Sequence, residues 1–264
     1  MLLLQEHGPS KAASPIPSKM SDQRNTQLDH IENDEYDTGD LFGQDDLKQD
    51  EVAVIRGLKI SVLEKSGLAL TLLADHIFSP ALVLSELIWE NKMNVNDKRV
   101  LELGCGTGLV GLVALLHNAS YVALTDYDDE SILSCPKLNL SQNMAVLPSG
   151  RCEVLGHTWG SNTARLIKDG KFDVVVLADI LWYTSSHHEI LASVSQTLAP
   201  DGEVWISSGK YTTYALDFFT SAGEGWVWDP VELQQGYKMP DVHGVPNLDA
   251  RKDNCLCWRM RRRS

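Results

Sequence analysis

Basic residues are scarce in this sequence: 23 Lys and Arg stand against 36 Asp and Glu, for a net charge of −13. A general nucleic-acid binder needs a basic face, so no nucleic-acid partner is expected. No run approaches the roughly 18 apolar residues of a membrane span. Met1-Leu2-Leu3-Leu4, followed by Gln5-Glu6-His7, is too short for the core of a signal peptide. Neither a membrane partner nor export is expected. Cysteine is sparse and odd in number (Cys105, Cys135, Cys152, Cys255 and Cys257), which fits reduced thiols in a cytoplasmic or nuclear protein. Cys255-x-Cys257 has no partner pair, so no metal site is expected. There is no internal repeat.

What is present divides the chain in two. From Ser21 to Glu51 many carboxylates face only Arg24 and Lys48, and the first twenty residues are rich in Ser, Pro and Lys. Little there could offset the entropy of ordering, so residues 1–50 read as a disordered acidic tail. Residues 51–264 read as one α/β domain, since 43% hydrophobic and 22% charged residues in 264 suit a single large core.

Val52–Ile55 and Leu58–Leu63 have the pattern of short strands turning at Arg56-Gly57. Phe78-Ser79-Pro80 opens a helix running to about Glu90. Apolar strands then alternate with amphipathic helices: strands at Arg99–Leu103, Tyr121–Thr125, Cys152–Leu155, Phe172–Ala178 and Glu203–Ser207, and helices at Leu109–Leu116, Glu130–Met144 and Glu189–Leu198. Such alternation predicts a parallel sheet wound on both faces. After a helix near Tyr214–Ala222, Trp226–Trp228 and Cys255–Arg261 read as strands joined by a long loop. No helix is expected between them, so they should pair as an antiparallel hairpin.

The most informative stretch is Val100 to Gly111, VLELGCGTGLVG. Counted from Gly106 it reads G-x-G-x-x-G, the dinucleotide spacing; counted from Gly104 it is an acid followed by G-x-G-x-G. Either way the glycines would let backbone approach a ligand at a helix N-terminus. Spacing alone does not choose between ligands, because Gly111 could serve only helix packing. Glu102, two residues before Gly104, would repel a pyrophosphate but attract the charges of S-adenosylmethionine. Asp126, at the end of the next strand, could hold a ribose diol of either ligand. The C-terminal hairpin also favours S-adenosylmethionine.

Glu102-Leu103-Gly104-Cys105-Gly106-Thr107-Gly108 resembles motif I of class I S-adenosylmethionine-dependent methyltransferases. More narrowly, Phe78 to Arg261 resembles the family-16 branch, which includes protein-lysine methyltransferases and fungal nicotinamide N-methyltransferase-like proteins, some acting on translation elongation factor. The resemblance rests on Phe78-Ser79-Pro80-Ala81-Leu82 (family W-P-A-A-L), Thr125-Asp126-Tyr127 (T-D-Y/R), His157-Thr158-Trp159-Gly160 (D-W-G) and Ala178-Asp179-Ile180-Leu181-Trp182 (A-D-x-x-aromatic). It implies a Rossmann-like doubly wound sheet of seven strands with a C-terminal antiparallel hairpin. It places Phe78, Glu102, Gly104, Cys105, Gly106, Gly108, Asp126, Tyr127, Trp159 and Ala178 around S-adenosylmethionine. Asp179, Trp182 and Tyr183 fall on the acceptor side.

A methyl acceptor must be held in line with the reactive bond and away from water. Asp179 would accept a hydrogen bond from an amine, with Trp182 and Tyr183 forming an aromatic slot. His187 and His188 read as a surface helix start. The chain lacks the N/D-P-P-Y/F of enzymes acting on planar amides, so a protein amine, or a small-molecule amine as the alternative, is the expected substrate of a monomeric enzyme.

Overall fold

The structure, a computed structural model, describes residues 52–62, 77–148, 151–210 and 212–263. The expected acidic tail at 1–50 lies outside the described residues, as does Leu63 at the expected end of the second strand.

Strands β1 (Val52–Ile55) and β2 (Leu58–Ser61) form the expected antiparallel hairpin. Arg56 and Gly57 both take positive φ, 56° and 81°. That is the pattern of a two-residue turn whose twist matches its strands. Helix α1 (Ser79–Trp89) follows, with Pro80 in its first turn, where a missing N–H costs nothing. The winding then proceeds as β3 (Arg99–Leu103), α2 (Leu109–Leu116), β4 (Tyr121–Asp126), α3 (Glu130–Asn143), β5 (Arg151–Gly156), β6 (Phe172–Ala178), α4 (His187–Thr197), β7 (Leu198–Gly209), α5 (Thr212–Ala222) and β8 (Trp226–Pro230). The chain ends with β9 (Val242–His243), α6 (Leu248–Asp253) and β10 (Cys255–Arg262).

Seven strands of the described residues form the main sheet, in the order β5-β4-β3-β6-β7-β10-β8. The first five are parallel, and β10 runs antiparallel to both β7 and β8. Helices α1 and α2 bury their apolar residues on one face; α4 and α5 cover the other with Ile190, Val194, Phe218 and Phe219. The doubly wound sheet with its terminal antiparallel strands is the architecture the sequence predicts. No helix of the described residues is long and apolar enough to cross a membrane.

Two expectations for the C-terminal part need correction. A helix, α6, does lie between β8 and β10, and β9 adds a third strand to the N-terminal hairpin by pairing with β1. A buried ion pair holds this segment in place. Lys252 Nζ of α6 lies 2.8 Å from Glu86 Oε1 of α1, with both side chains almost fully enclosed. The same carboxylate oxygen accepts the Lys238 amide at 2.6 Å, and Lys252 Nζ also donates to the Gly236 carbonyl. Charges so enclosed persist only when paired and hydrogen-bonded. In addition, β7 begins at Leu198, five residues before the expected start, and Ala199-Pro200-Asp201-Gly202 is absorbed in an irregular register between β6 and β7.

Candidate active site

β3, β4, β5 and β6 all end on the same side of the sheet, and four loops leave there. The direction in which successive strands are added to the sheet reverses between β3, followed by α2 on one face, and β6, followed by α4 on the other. That reversal opens the crevice in which open α/β sheets bind ligands.

The loop after β3 is built around left-handed backbone: Gly104, Gly106 and Gly108 have φ of 66°, 50° and 77°. A Cβ on Gly104 would stand 2.8 Å from Ile180 Cγ2 and 3.2 Å from Trp159 Cζ2, so the β3, β5 and β6 loops converge on this one glycine. Gly111 has another task. It lies in α2, where a Cβ would meet Leu124 Cδ2 at 2.3 Å and Val122 Cγ1 at 2.9 Å, so it lets the helix press on β4. The dinucleotide-like spacing therefore includes a packing glycine.

Asp126 closes the loop from the neighbouring strand. Its Oδ2 accepts the Gly106 amide at 2.8 Å and its Oδ1 the Tyr127 amide at 2.8 Å. Burial pushes this carboxyl above its ordinary range, and the two amides pull the other way. Tyr127 is itself half exposed.

Glu102 is placed differently from expectation. Alternation along β3 turns it with Val100 toward α2, and it is 1% exposed. Its Oε2 accepts the Gly111 amide at 2.9 Å, satisfying one of the donors left over at the start of α2. It props the loop from beneath instead of opening toward a ligand. Burial pushes its pKa to about 8, against the opposing Gly111 bond and with a smaller push from Asp126. Between its ordinary 4.5 and about 8, the folded protein keeps a proton that the unfolded chain releases, so stability falls as pH rises through that window. Glu102→Gln retains an oxygen for Gly111 and is expected to flatten that fall by roughly 1 kcal/mol per pH unit. Melting curves of both proteins from pH 5 to 8 check it; parallel slopes would contradict it.

Cys105 offers the crevice its backbone, not its side chain. Its side chain is buried in the core, its amide donates to the Thr125 carbonyl and its carbonyl accepts the Gly108 amide. Burial raises the thiol well above its ordinary pKa, so it serves the loop's shape as a neutral core group. Phe78 opens α1, a helix that packs on α2, β6, β7, β10 and α6.

The remaining expected residues gather at the crevice. Asp179 directly follows Ala178, the last residue of β6, and holds a left-handed backbone at φ 57°. Its Oδ1 accepts the Gly209 amide at 3.3 Å, and burial raises its pKa to about 6. Neither the short 3₁₀ turn Thr184–Ser186 nor α4 takes a side-chain cap, so Asp179 is not a helix cap. Trp182, 39% exposed, stacks on Tyr183 with ring centroids 3.7 Å apart. Tyr183 in turn meets Trp159 edge-on at 5.5 Å. Burial and the nearby Asp126 carboxylate push the Tyr183 phenol to about 12. Tyr183 thus sits beside Trp159 and near Asp126, and Trp182 is the ring turned toward solvent.

Two supporting residues escaped sequence reasoning. His187 is buried, not at the surface: its Nε2 bonds the Leu181 carbonyl at 2.7 Å and its ring meets Phe218 edge-on, fixing the loop after Asp179. His188 is exposed as expected. His157 shares Ser193 Oγ with the Gly160 amide and so fastens the Trp159 turn to α4. The sequence signal for His187 was a histidine at the start of an amphipathic helix, and for His157 its place just before Thr158-Trp159-Gly160 at the end of a strand.

A family profile described as lysine methyltransferase matches residues 59–224, well over half of the chain. The chain belongs to this lysine methyltransferase family. Among its relatives, a protein N-terminal and lysine N-methyltransferase, EFM7, from Cryptococcus neoformans is 33% identical over 127 residues, 47% of this chain and 42% of the relative. A histidine protein methyltransferase 1 homolog from Dictyostelium discoideum is 32% identical over 127 residues, 47% of this chain and 39% of the relative. The chain therefore spans about four-tenths of the length of these two relatives. In fold it is similar to the Thermus thermophilus 16S rRNA N2 G1207 methyltransferase solved with AdoMet and guanosine. The TM-score there is 0.52 at 16% identity, covering 81% of this chain and 50% of that one. That likeness concerns the fold alone.

Proposed function

We propose that this protein transfers a methyl group from S-adenosylmethionine to a nitrogen of a protein, a lysine or an N-terminal amine. The observation that carries the reading is the meeting of three loops at one point: the glycine loop tied to Asp126, the turn bearing Trp159, and the loop bearing Asp179. The donor set fits the cofactor. Backbone at Gly104–Gly108 is open to close approach, Asp126 offers a carboxylate for a diol, and Trp159 with Tyr183 offers ring surface for a base. Bound there, the cofactor supplies an electrophilic methyl, so no side-chain nucleophile is required.

The chain's own groups would then act on the acceptor. An amine with a solution pKa near 10.4 must shed a proton to react, and a desolvated aromatic slot favours the neutral form. Above about pH 6 Asp179 is ionised and can accept a hydrogen bond from that amine, orienting its lone pair. Trp182 is the flat, half-exposed ring against which an aliphatic side chain can lie. Both relatives are named as methyltransferases of proteins, which supports a protein acceptor over a small molecule.

The test is incubation with methyl-labelled S-adenosylmethionine and a cell lysate. A labelled protein band supports the proposal; a labelled small molecule or no transfer overturns it. Asp126→Ala is expected to weaken S-adenosylmethionine binding roughly 10- to 100-fold, the scale of lost charged hydrogen bonds. Calorimetry of the variant checks it, and unchanged affinity would remove Asp126 from the cofactor site.

A further inference from the structure

Helix α3 carries two buried amides one helical turn apart, Asn139 and Asn143, 0% and 1% exposed. Both face β2. Asn143 Oδ1 accepts the Lys59 amide at 2.8 Å while its Nδ2 donates to the Lys59 carbonyl at 2.7 Å. Asn139 repeats the pattern two residues along, accepting the Ser61 amide at 2.8 Å and donating to the Ser61 carbonyl at 3.0 Å. Four helical residues rise about 6 Å and two strand residues about 6.6 Å, so i, i+4 amides on a helix match alternate residues of a strand. The two asparagines thus act as a neighbouring strand for the edge of β2 that β1 does not cover.

They differ in their second N–H. A primary amide has two to give. Asn143 spends the other within its own helix, on the Asn139 carbonyl at 2.7 Å. Asn139 sends it to the Thr107 carbonyl at 3.0 Å. Thr107 is buried between Gly106 and Gly108, in the middle of the glycine loop.

We propose that Asn139 is a positioning residue for the glycine loop, and that through it the β1–β2 hairpin and the loop stabilise each other. This rests on the cofactor reading above. Any ligand that orders the loop must, by linkage, also tighten β2, because coupling between two sites is reciprocal. Asn143 makes the same contacts to β2 without touching the loop, and so separates docking of the hairpin from control of the loop.

The experiment uses the full chain with S-adenosylhomocysteine as probe. In the unaltered protein, bound probe is expected to slow amide exchange at Ser61 severalfold by NMR; this measurement needs no variant. Asn139→Asp and Asn143→Asp preserve shape and the acceptor oxygen but lose the donors. Both should lower the melting temperature similarly. Asn139→Asp should raise the probe's Kd about tenfold and abolish the response at Ser61, while Asn143→Asp should stay within twofold of the unaltered protein. Equal weakening by both variants, or exchange at Ser61 indifferent to the probe, would overturn the coupling alone. Failure of the unaltered chain to bind the probe would overturn the cofactor reading and this one together.

Discussion

Asp179→Asn is expected to cut methyl transfer at least tenfold while making the protein more stable at neutral pH. Asparagine tolerates the left-handed backbone at this position and keeps an oxygen for the Gly209 amide. Only the charge is lost, and with it the hydrogen-bond acceptor proposed for the amine. Stability moves the other way because burial raises the Asp179 pKa from 3.8 to about 6. A raised carboxyl contributes stability that is present below pH 3.8 and lost as pH rises through about 6, so at pH 7.5 the aspartate is a net burden. Removing it should add roughly 1 kcal/mol, about 2–4 °C in melting temperature for a domain of this size. The gain should vanish below pH 4. Trp159→Ala should behave oppositely, raising the cofactor Kd with turnover at saturation largely kept. Steady-state transfer, calorimetry and melting curves on the same preparations supply the numbers. If both variants lose cofactor binding alike, the division of the crevice into cofactor and acceptor sides is wrong.

The second large effect is expected at Gly104. Alanine there must hold φ near 66° and place a methyl 2.8 Å from Ile180 Cγ2, with Trp159 Cζ2 at 3.2 Å. Left-handed backbone costs an L-residue about 1–2 kcal/mol, and overpacking a closed contact a further 1–3 kcal/mol or so. Gly104→Ala should therefore cost roughly 2–5 kcal/mol and weaken S-adenosylmethionine at least tenfold, since the displaced ring is the one proposed to flank the base. Adding Ile180→Ala should recover part of the stability but not the affinity, because the backbone strain remains. Denaturant unfolding with cofactor titration decides it; a single variant as stable as the parent would show that the three loops are not closed on this glycine.

The winding of the sheet was legible because apolar periodicity is strong from Val100 to Ile206. Runs such as Val174–Ala178 are too apolar to lie anywhere but between two helical layers. Helix α6 was not legible. Its six residues, Leu-Asp-Ala-Arg-Lys-Asp, carry no apolar stripe, and the partner of Lys252 stands 166 positions away at Glu86. The start of β7 was hidden by Pro200 and Gly202, which signal a turn and are here taken up by an irregular stretch of strand. At the site, the carboxylates ending β4 and following β6 could be read from their position after apolar runs. Glu102 was misread for want of one step: it shares the face of Val100, which alternation turns toward α2. His187 and Asn139 depend on carbonyls of other segments, Leu181 and Thr107, and no local pattern announces such partners.

The placing of β10 between β7 and β8 bears on how the protein is made. Synthesis delivers β7 and β8 in turn, but neither can take its final neighbour until residues 255–262 have emerged. In the interval β7 presents an open edge carrying Val204, Trp205 and Ile206, an invitation to pair with another chain. β1 waits similarly for Val242–His243, nearly two hundred residues later. Closure of the sheet is therefore a late event dominated by long-range pairing, which is slow. The nascent protein should depend on holding chaperones until β10 arrives. A chain cut short before Cys255 should aggregate even though every residue of the crevice has already been synthesised.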